Sequence, residues 1–401
     1  MCEKVKGILN FETLNHLNAF LNLLSGNLLP LSGSGITFSV AQRFYAAFVW
    51  LITISSLTIT VSSVFFVPKE KALQNSTVNI VITAEVILLV GYLHTNKNLL
   101  RGLIGKLDNL LAVRNEALSS AVITALQPIE KPLRIYAIVL LSSVLFWITL
   151  PLIKVWQKSD FYYEDYAIPA KFSSQPFSAT IFIAGVFFET VASTYAILKK
   201  IGIDIYTIYL IRLVTSQYRY VRTRLAFILQ QKSNKTDDST LSDIKTIFVR
   251  SELKKLVHHH AVVLEISTML KRLLSFNVGL IYVENIFRFC FLGFMIITSP
   301  PDYFEKTLLV MYTIGAVVQL LVLCYCAEQL LEASVRVSDD AFYEEWYTKH
   351  NSVIRVLSFL IFANNLECKL SAFGNMNLTV ASVGSILNQA YSACLLILKV
   401  K

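Results

Sequence analysis

The sequence predicts an all-α polytopic membrane protein with seven transmembrane helices and a cytoplasmic N-terminus, and three observations carry that reading. Of 401 residues, 55% are hydrophobic and 16% charged, with a mean hydropathy of +0.57, so the main solvent of the chain is lipid. Seven runs with no or almost no charge, at 44–67, 77–93, 135–156, 177–198, 273–298, 307–327 and 378–398, match the roughly 20 residues that cross a bilayer core about 30 Å thick. With the N-terminus inside, 26 of the 36 Lys and Arg residues fall on the cytoplasmic side and 8 on the other, which orients the chain N-in and C-out.

The opening stretch GILNFETLNHLNAFLNLL is interrupted by Asn, Glu, Thr and His where a signal peptide needs an unbroken apolar core. The first run therefore acts as the targeting signal. The outside loops are short apart from 157–175, which carries FYYEDY. From residue 199, KKIGIDIYTIYLIRLVTSQYRYVRTRLAFIL sets Ile201, Ile205, Ile208, Ile211 and Leu213 among arginines, an amphipathic helix that carries the fourth span into the cytoplasm. The polar segment 230–243 has the composition of a flexible loop, and a second helix from about 241 runs into the fifth span. The apolar stretch 356–363 is too short to cross and belongs buried or at the interface.

Several functions are poorly served by this chain. Its net charge of +9 follows from the topology, so no nucleic-acid partner is expected. Cys290, Cys324, Cys326, Cys368 and Cys394 lie in or beside apolar runs and Cys2 at the start, so all six are expected as free thiols. His258, His259 and His260 point about 100° apart on a helix and cannot converge on one metal ion; a solvated cytoplasmic turn is expected. No catalytic constellation, metal or cofactor is indicated. Asn75 falls outside as a glycosylation acceptor, Asn234 inside, and Asn377 at the mouth of the last span.

Glu85, Glu189, Glu284 and Arg288 are ionisable groups within apolar runs and must face protein or water. Glu284 and Arg288, four apart, are expected to neutralise each other. Glu85 and Glu189 have no evident partner in the sequence and are candidates for a cavity. The outer halves of the third and fourth runs supply Phe146, Trp147, Phe182, Phe187 and Phe188, and the sixth supplies Met311, Tyr312 and Thr313. With Val81 and Glu85 these are candidates for an apolar pocket, against the alternative of ordinary span packing. In the last run, Ser385, Asn388, Gln389, Ser392 and Lys399 form one polar stripe opposite Leu387, Ala390, Cys394 and Leu398. Such a stripe faces either water or polar groups on a neighbouring helix.

The stretch YCAEQLLEASVRVSDDAFYEEWY at 325–347 and the closing AYSACLLILKVK resemble the insect odorant receptor family. The matching residues are Glu328, Ser334, Val337, Ala341, Tyr343, Trp346 and Tyr347, then Gly374, then Tyr391-Ser392. The resemblance implies a tuning subunit that binds a small volatile lipophilic ligand among spans 2 to 6. Such a subunit would open a poorly selective cation channel as a heterotetramer with the odorant co-receptor, in the plasma membrane of a sensory neuron dendrite. It further implies a division into a cytoplasmic segment 1–43, a six-span ligand-binding bundle 44–327 with its extensions 199–272, a cytoplasmic anchor 328–377 and a pore-lining helix 378–401. Ser385, Gln389 and Ser392 would line the pore, Leu396 would constrict it, and Lys399 with Val400 would sit at the outer mouth. The family often has Gly-Asn or Gly-Gln where this chain has Ala327-Glu328. A gustatory-type ligand-gated channel, a metabotropic seven-span receptor and a small transporter are the alternatives.

Overall fold

Seven helices among the described residues are long and apolar enough to cross a membrane. The computed structural model describes residues 9–33, 38–68, 72, 76–113, 115–230, 239–298, 303–343, 351–372 and 376–400. Asn75, Asn234, Trp346, Tyr347, Gly374, Cys2 and the side chain of Val400 lie outside the described residues.

Two short helices, α1 (Phe11–Leu14) and α2 (His16–Leu24), precede the first span. Asn10 caps α1 by accepting from the Thr13 N–H at 2.8 Å, and the Phe11 N–H donates to Asp108 at 2.7 Å. Asn15, Asn18 and Asn22 of this stretch are buried, and Asn22 holds the turn after α2. Asn22 accepts from the Leu29 N–H at 2.9 Å and donates to its carbonyl at 2.8 Å. Gly26 sits at φ +68°, and a Cβ there would also meet the Ala46 backbone at 3.1 Å, so glycine is required on both counts.

The spans follow as α3 (Val40–Ser63), α4 (Thr77–Thr95), α6 (Glu116–Thr149), α7 (Ala179–Gln230), α8 (Ser239–Thr298), α9 (Tyr303–Tyr343) and α11 (Val380–Val400); α5 (Lys97–Leu111) and α10 (Asn351–Phe362) are shorter. Helix α3 stops four residues before the apolar run does, because the chain turns at Val64–Phe66, where Phe65 and Phe66 are exposed. Helix α10 buries Val353, Val356, Leu357 and Leu360 and exposes Phe359 and Phe362, as expected of an apolar stretch too short to cross.

Helix α7 is the axis of the bundle, packed on by α6, α9, α8, α2, α3 and α4. Residues 201–218 are buried on every face, which corrects the amphipathic reading of this stretch. Two of its polar groups find backbone partners inside the protein: Arg212 Nε donates to the Ala125 carbonyl at 2.8 Å, and the Tyr206 hydroxyl donates to the Pro30 carbonyl at 2.6 Å. The three histidines likewise stand on α8 rather than in a turn. His260 is buried edge-on to Tyr218 and His259 lies against Tyr220. They diverge, and no group of His, Cys, Asp or Glu among the described residues could hold a metal ion. The five described cysteines are free and buried.

The long loop at 157–175 folds into a cap. Strands β1 (Asp160–Phe161) and β2 (Phe177–Ser178) pair antiparallel, and Phe161, Tyr163, Tyr166, Phe177 and Phe182 form a separate aromatic core. Asp165 anchors it, accepting from Lys158 Nζ at 2.9 Å and from the Tyr162 N–H at 3.0 Å. Burial alone would raise the Asp165 carboxyl; Lys158, the Tyr162 N–H and Lys154 outweigh it and hold the group below the usual carboxylate range.

Candidate functional site

Where α4, α6, α7, α8 and α9 meet beneath the cap, they line a partly open apolar cavity of about 60 Å³, room for roughly four to six water molecules. Val78 and Ile82 come from α4, Val144, Trp147 and Ile148 from α6, Ala196 and Ile197 from α7, Leu292 and Met295 from α8, and Leu308, Leu309 and Tyr312 from α9. Ile168 of the cap closes one side, and the polar members of the wall are Asn79, Ser143, Ser193 and the Tyr312 hydroxyl. Such a wall removes apolar area from water and orients its occupant with few hydrogen bonds.

Of the ten candidates for a pocket, the cavity brings together Trp147 and Tyr312. Val81 is adjacent in sequence to the lining residue Ile82 but is not part of the wall. Phe182 stacks on Phe161 in the cap at 4.3 Å, and Phe188 meets Phe172 edge-on. Phe146, Phe187 and Met311 point outward, 60%, 70% and 47% exposed. The Thr313 hydroxyl donates to the Leu309 carbonyl of its own helix at 2.8 Å. Helical phase decides this: Phe146 and Met311 each precede a lining residue by one position, and about 100° turns them to the other side.

Glu85 lies below the cavity in a buried polar network. Lys200 of α7, 1% exposed, pairs with Glu85 and lies 3.3 Å from Asp204. Asp204 accepts from the Tyr136 hydroxyl at 3.0 Å and from Gln319 Nε2 at 2.6 Å. Gln319 accepts from Arg288 at 3.1 Å, and Arg288 donates to the Tyr312 hydroxyl at 3.0 Å. A continuous chain of polar contacts thus runs from Glu85 to a residue in the cavity wall. The expected Glu284–Arg288 pair is not made: Arg288 directs its guanidinium to Gln319 and Tyr312, and the Glu284 oxygens have no hydrogen-bond partner. Glu189 is buried near the cap, where the Ile168 N–H donates to it. Sequence reading missed Lys200, because a Lys-Lys pair at the end of an apolar run looks like a cytoplasmic flank. The two lysines in fact diverge, Lys199 to the Ser25 carbonyl at 2.8 Å and Lys200 to the carboxylates.

Helix α11 packs along α8 and α9 through Val383, Ile386, Ala390 and Cys394. Leu387 and Leu398 are half-buried, while Ser385, Asn388, Gln389, Ser392, Leu396 and Lys399 are exposed along the opposite face. Gln389 Nε2 donates to the Tyr282 hydroxyl of α8 at 3.1 Å. Helix α8 therefore carries cavity wall (Leu292, Met295), buried network (Arg288) and a contact to α11 (Tyr282) along one length.

This architecture is shared with a known receptor. The solved olfactory receptor OR5 of Machilis hrabei, determined alone and in complex with eugenol, superposes with a TM-score of 0.79 over 97% of this chain and 98% of its own, at 13% sequence identity. Odorant receptor 85c of Drosophila melanogaster is 26% identical over 140 residues, and odorant receptor 67a of the same species 21% identical over 172. These matches cover 35% and 42% of this chain, and the chain spans 36% and 40% of the length of those relatives. The family model described as 7tm Odorant receptor matches residues 70–391. With seven membrane-crossing helices in the same arrangement, the chain is a multi-pass membrane receptor rather than an enzyme, and it belongs to the 7tm odorant receptor family.

Proposed function

We propose that this chain is the tuning subunit of an odorant-gated cation channel. A small volatile molecule binds in the cavity beneath the cap, and the chain opens a non-selective pore in a heterotetramer with the odorant co-receptor. The N-terminus is cytoplasmic and the assembly sits in the plasma membrane of a sensory neuron dendrite. Residues 44–327 form the ligand-binding bundle, 328–377 the cytoplasmic anchor, and 378–401 the pore-lining helix.

The observation that carries this reading is the exposed face of α11, where Ser385, Gln389, Ser392 and Lys399 accompany Leu396. Polar groups left against lipid cost several kcal/mol when unsatisfied, whereas around a central pore the same face is wetted. Leu396, 66% exposed on that face, then forms an apolar constriction that closes by dewetting. The described part of the stripe contains no Asp or Glu, so strong cation selection is not expected. Lys399 calls for partner subunits that dilute its charge. Gating needs only a ligand that binds the open state better, since equal affinity for both states shifts nothing. Helix α8, joining cavity and α11, is the element such a bias would move.

The test is whole-cell current in cells expressing the chain alone and with an insect odorant co-receptor, during application of volatile aromatics, esters and terpenes. Evoked cation current that requires the co-receptor supports the proposal. Silence across a broad panel despite surface expression overturns it.

A further inference from the structure

The Asn, Ser and Tyr side chains in the cavity wall have partners, with one exception. The Ser143 hydroxyl donates to the Val139 carbonyl one turn back at 2.8 Å, Asn79 reaches Thr60 at 3.5 Å, and the Tyr312 hydroxyl accepts from Arg288. Hydroxyls on α7 follow the rule for helical Ser and Thr: Thr190 donates to Val186 at 2.7 Å and Thr194 to Thr190 at 2.6 Å. Ser193 lies between those turns and does not. Its Oγ is buried, 5% exposed, and has no hydrogen-bond partner although the Glu189 carbonyl is one turn back. An unpaired buried hydroxyl in a native fold calls for an explanation, and a ligand that completes the pair is one.

Resting on the odorant-receptor reading above, the geometry points to Ser193 as the polar anchor of the ligand, donating its hydroxyl proton to a single oxygen acceptor on a compact, otherwise apolar volatile such as a short ketone or ester. Shape limits the rest. Without movement of the wall, a cavity of about 60 Å³ takes a molecule of roughly four to six heavy atoms. The second unpaired oxygen nearby, Glu189 Oε2, belongs to a residue outside the cavity wall, so an amine gains no counter-charge there.

The experiment uses the full chain co-expressed with the co-receptor and applies pairs of equal shape in which a ketone oxygen is replaced by a methylene, for example 2-pentanone against 2-methyl-1-pentene, together with 2-aminopentane. One neutral hydrogen bond corresponds to about a fivefold difference in half-maximal concentration, and the ketone is expected to lead by that factor. Ser193→Ala abolishes the difference between ketone and alkene, while Ser143→Ala, whose hydroxyl is already engaged, keeps the ketone preference. Equal responses to ketone and alkene in the native chain, a preference surviving in S193A, or the amine leading the series overturns this inference while the receptor reading stands. Silence to these probes and to the broad volatile panel overturns both.

Discussion

Gln389, on the exposed face of the last helix, is tied to Tyr282 of α8 by a 3.1 Å hydrogen bond between Nε2 and the tyrosine hydroxyl. Tyr282 stands on the helix that also carries Arg288 and the lining residues Leu292 and Met295. Any shift of α8 on ligand binding is therefore felt directly at the face proposed to line the pore.

The first expectation is energetic coupling between these two residues. Y282F and Q389A each shift the half-maximal odorant concentration in the same direction, by about fivefold for a neutral hydrogen bond of about 1 kcal/mol. The double variant shifts no further than either single one, since both remove the same interaction. Additive shifts would show that the bond plays no part in gating.

Trp147 is the largest side chain in the cavity wall. Trp147→Ala enlarges the cavity, so the preferred odorants move to larger members of a homologous series and short ones lose potency. A dose–response series in chain length checks this, and an unchanged preference contradicts the placement of the ligand.

Lys200 holds Glu85 and Asp204 together where water is excluded. Lys200→Met leaves both carboxyl groups without their shared cation, a loss of about 3–5 kcal/mol that removes most of the receptor from the cell surface. The double variant E85Q/K200M recovers part of it, because one stranded carboxylate is gone. Surface labelling distinguishes the two; equal loss in both would place the defect elsewhere.

The cap has a pH dependence of defined sign. Because the folded protein holds the Asp165 carboxyl below its usual range, the group contributes stability above the ordinary carboxylate value near 3.9. That contribution is lost as pH falls through the lower folded value. The native cap accordingly stays closed at neutral pH and loosens only below about pH 4. Asp165→Asn loosens it already at pH 7, read as faster amide exchange across 160–178 after correction for intrinsic rates.

The seven spans were legible because 20 uncharged residues admit few other fates, and the polar stripe of α11 was legible because a single helical period places it. The limits were physical too. Apolar composition continues through the turn at Val64–Phe66, so it overshot the end of α3. Helix α6 starts at Glu116, well before its apolar run: Glu130 is half-buried and Lys131 and Arg134 are exposed on a helix that composition alone ends at the first charge. Lys200 and Glu85 are 115 positions apart, and only the packing of α4 against α7 brings them together. The exposed Phe146, Phe187 and Met311 differ from the lining Trp147 and Tyr312 by helical phase within a uniformly apolar run, where periodicity has no contrast to report.

The most direct measurement is thiol accessibility along α11. Cysteines are placed singly at Ser385, Gln389, Ser392 and Leu396, and as controls at Leu387 and Leu398, in a chain whose five described native cysteines are buried. Odorant-evoked current is then followed during exposure to a membrane-impermeant, charged thiol reagent. Rapid, odorant-dependent block at the four stripe positions with little effect at the two controls is the expected result. Block without regard to face, or protection of the whole stripe while current flows, would mean that this helix does not line the pore and that its polar face serves packing.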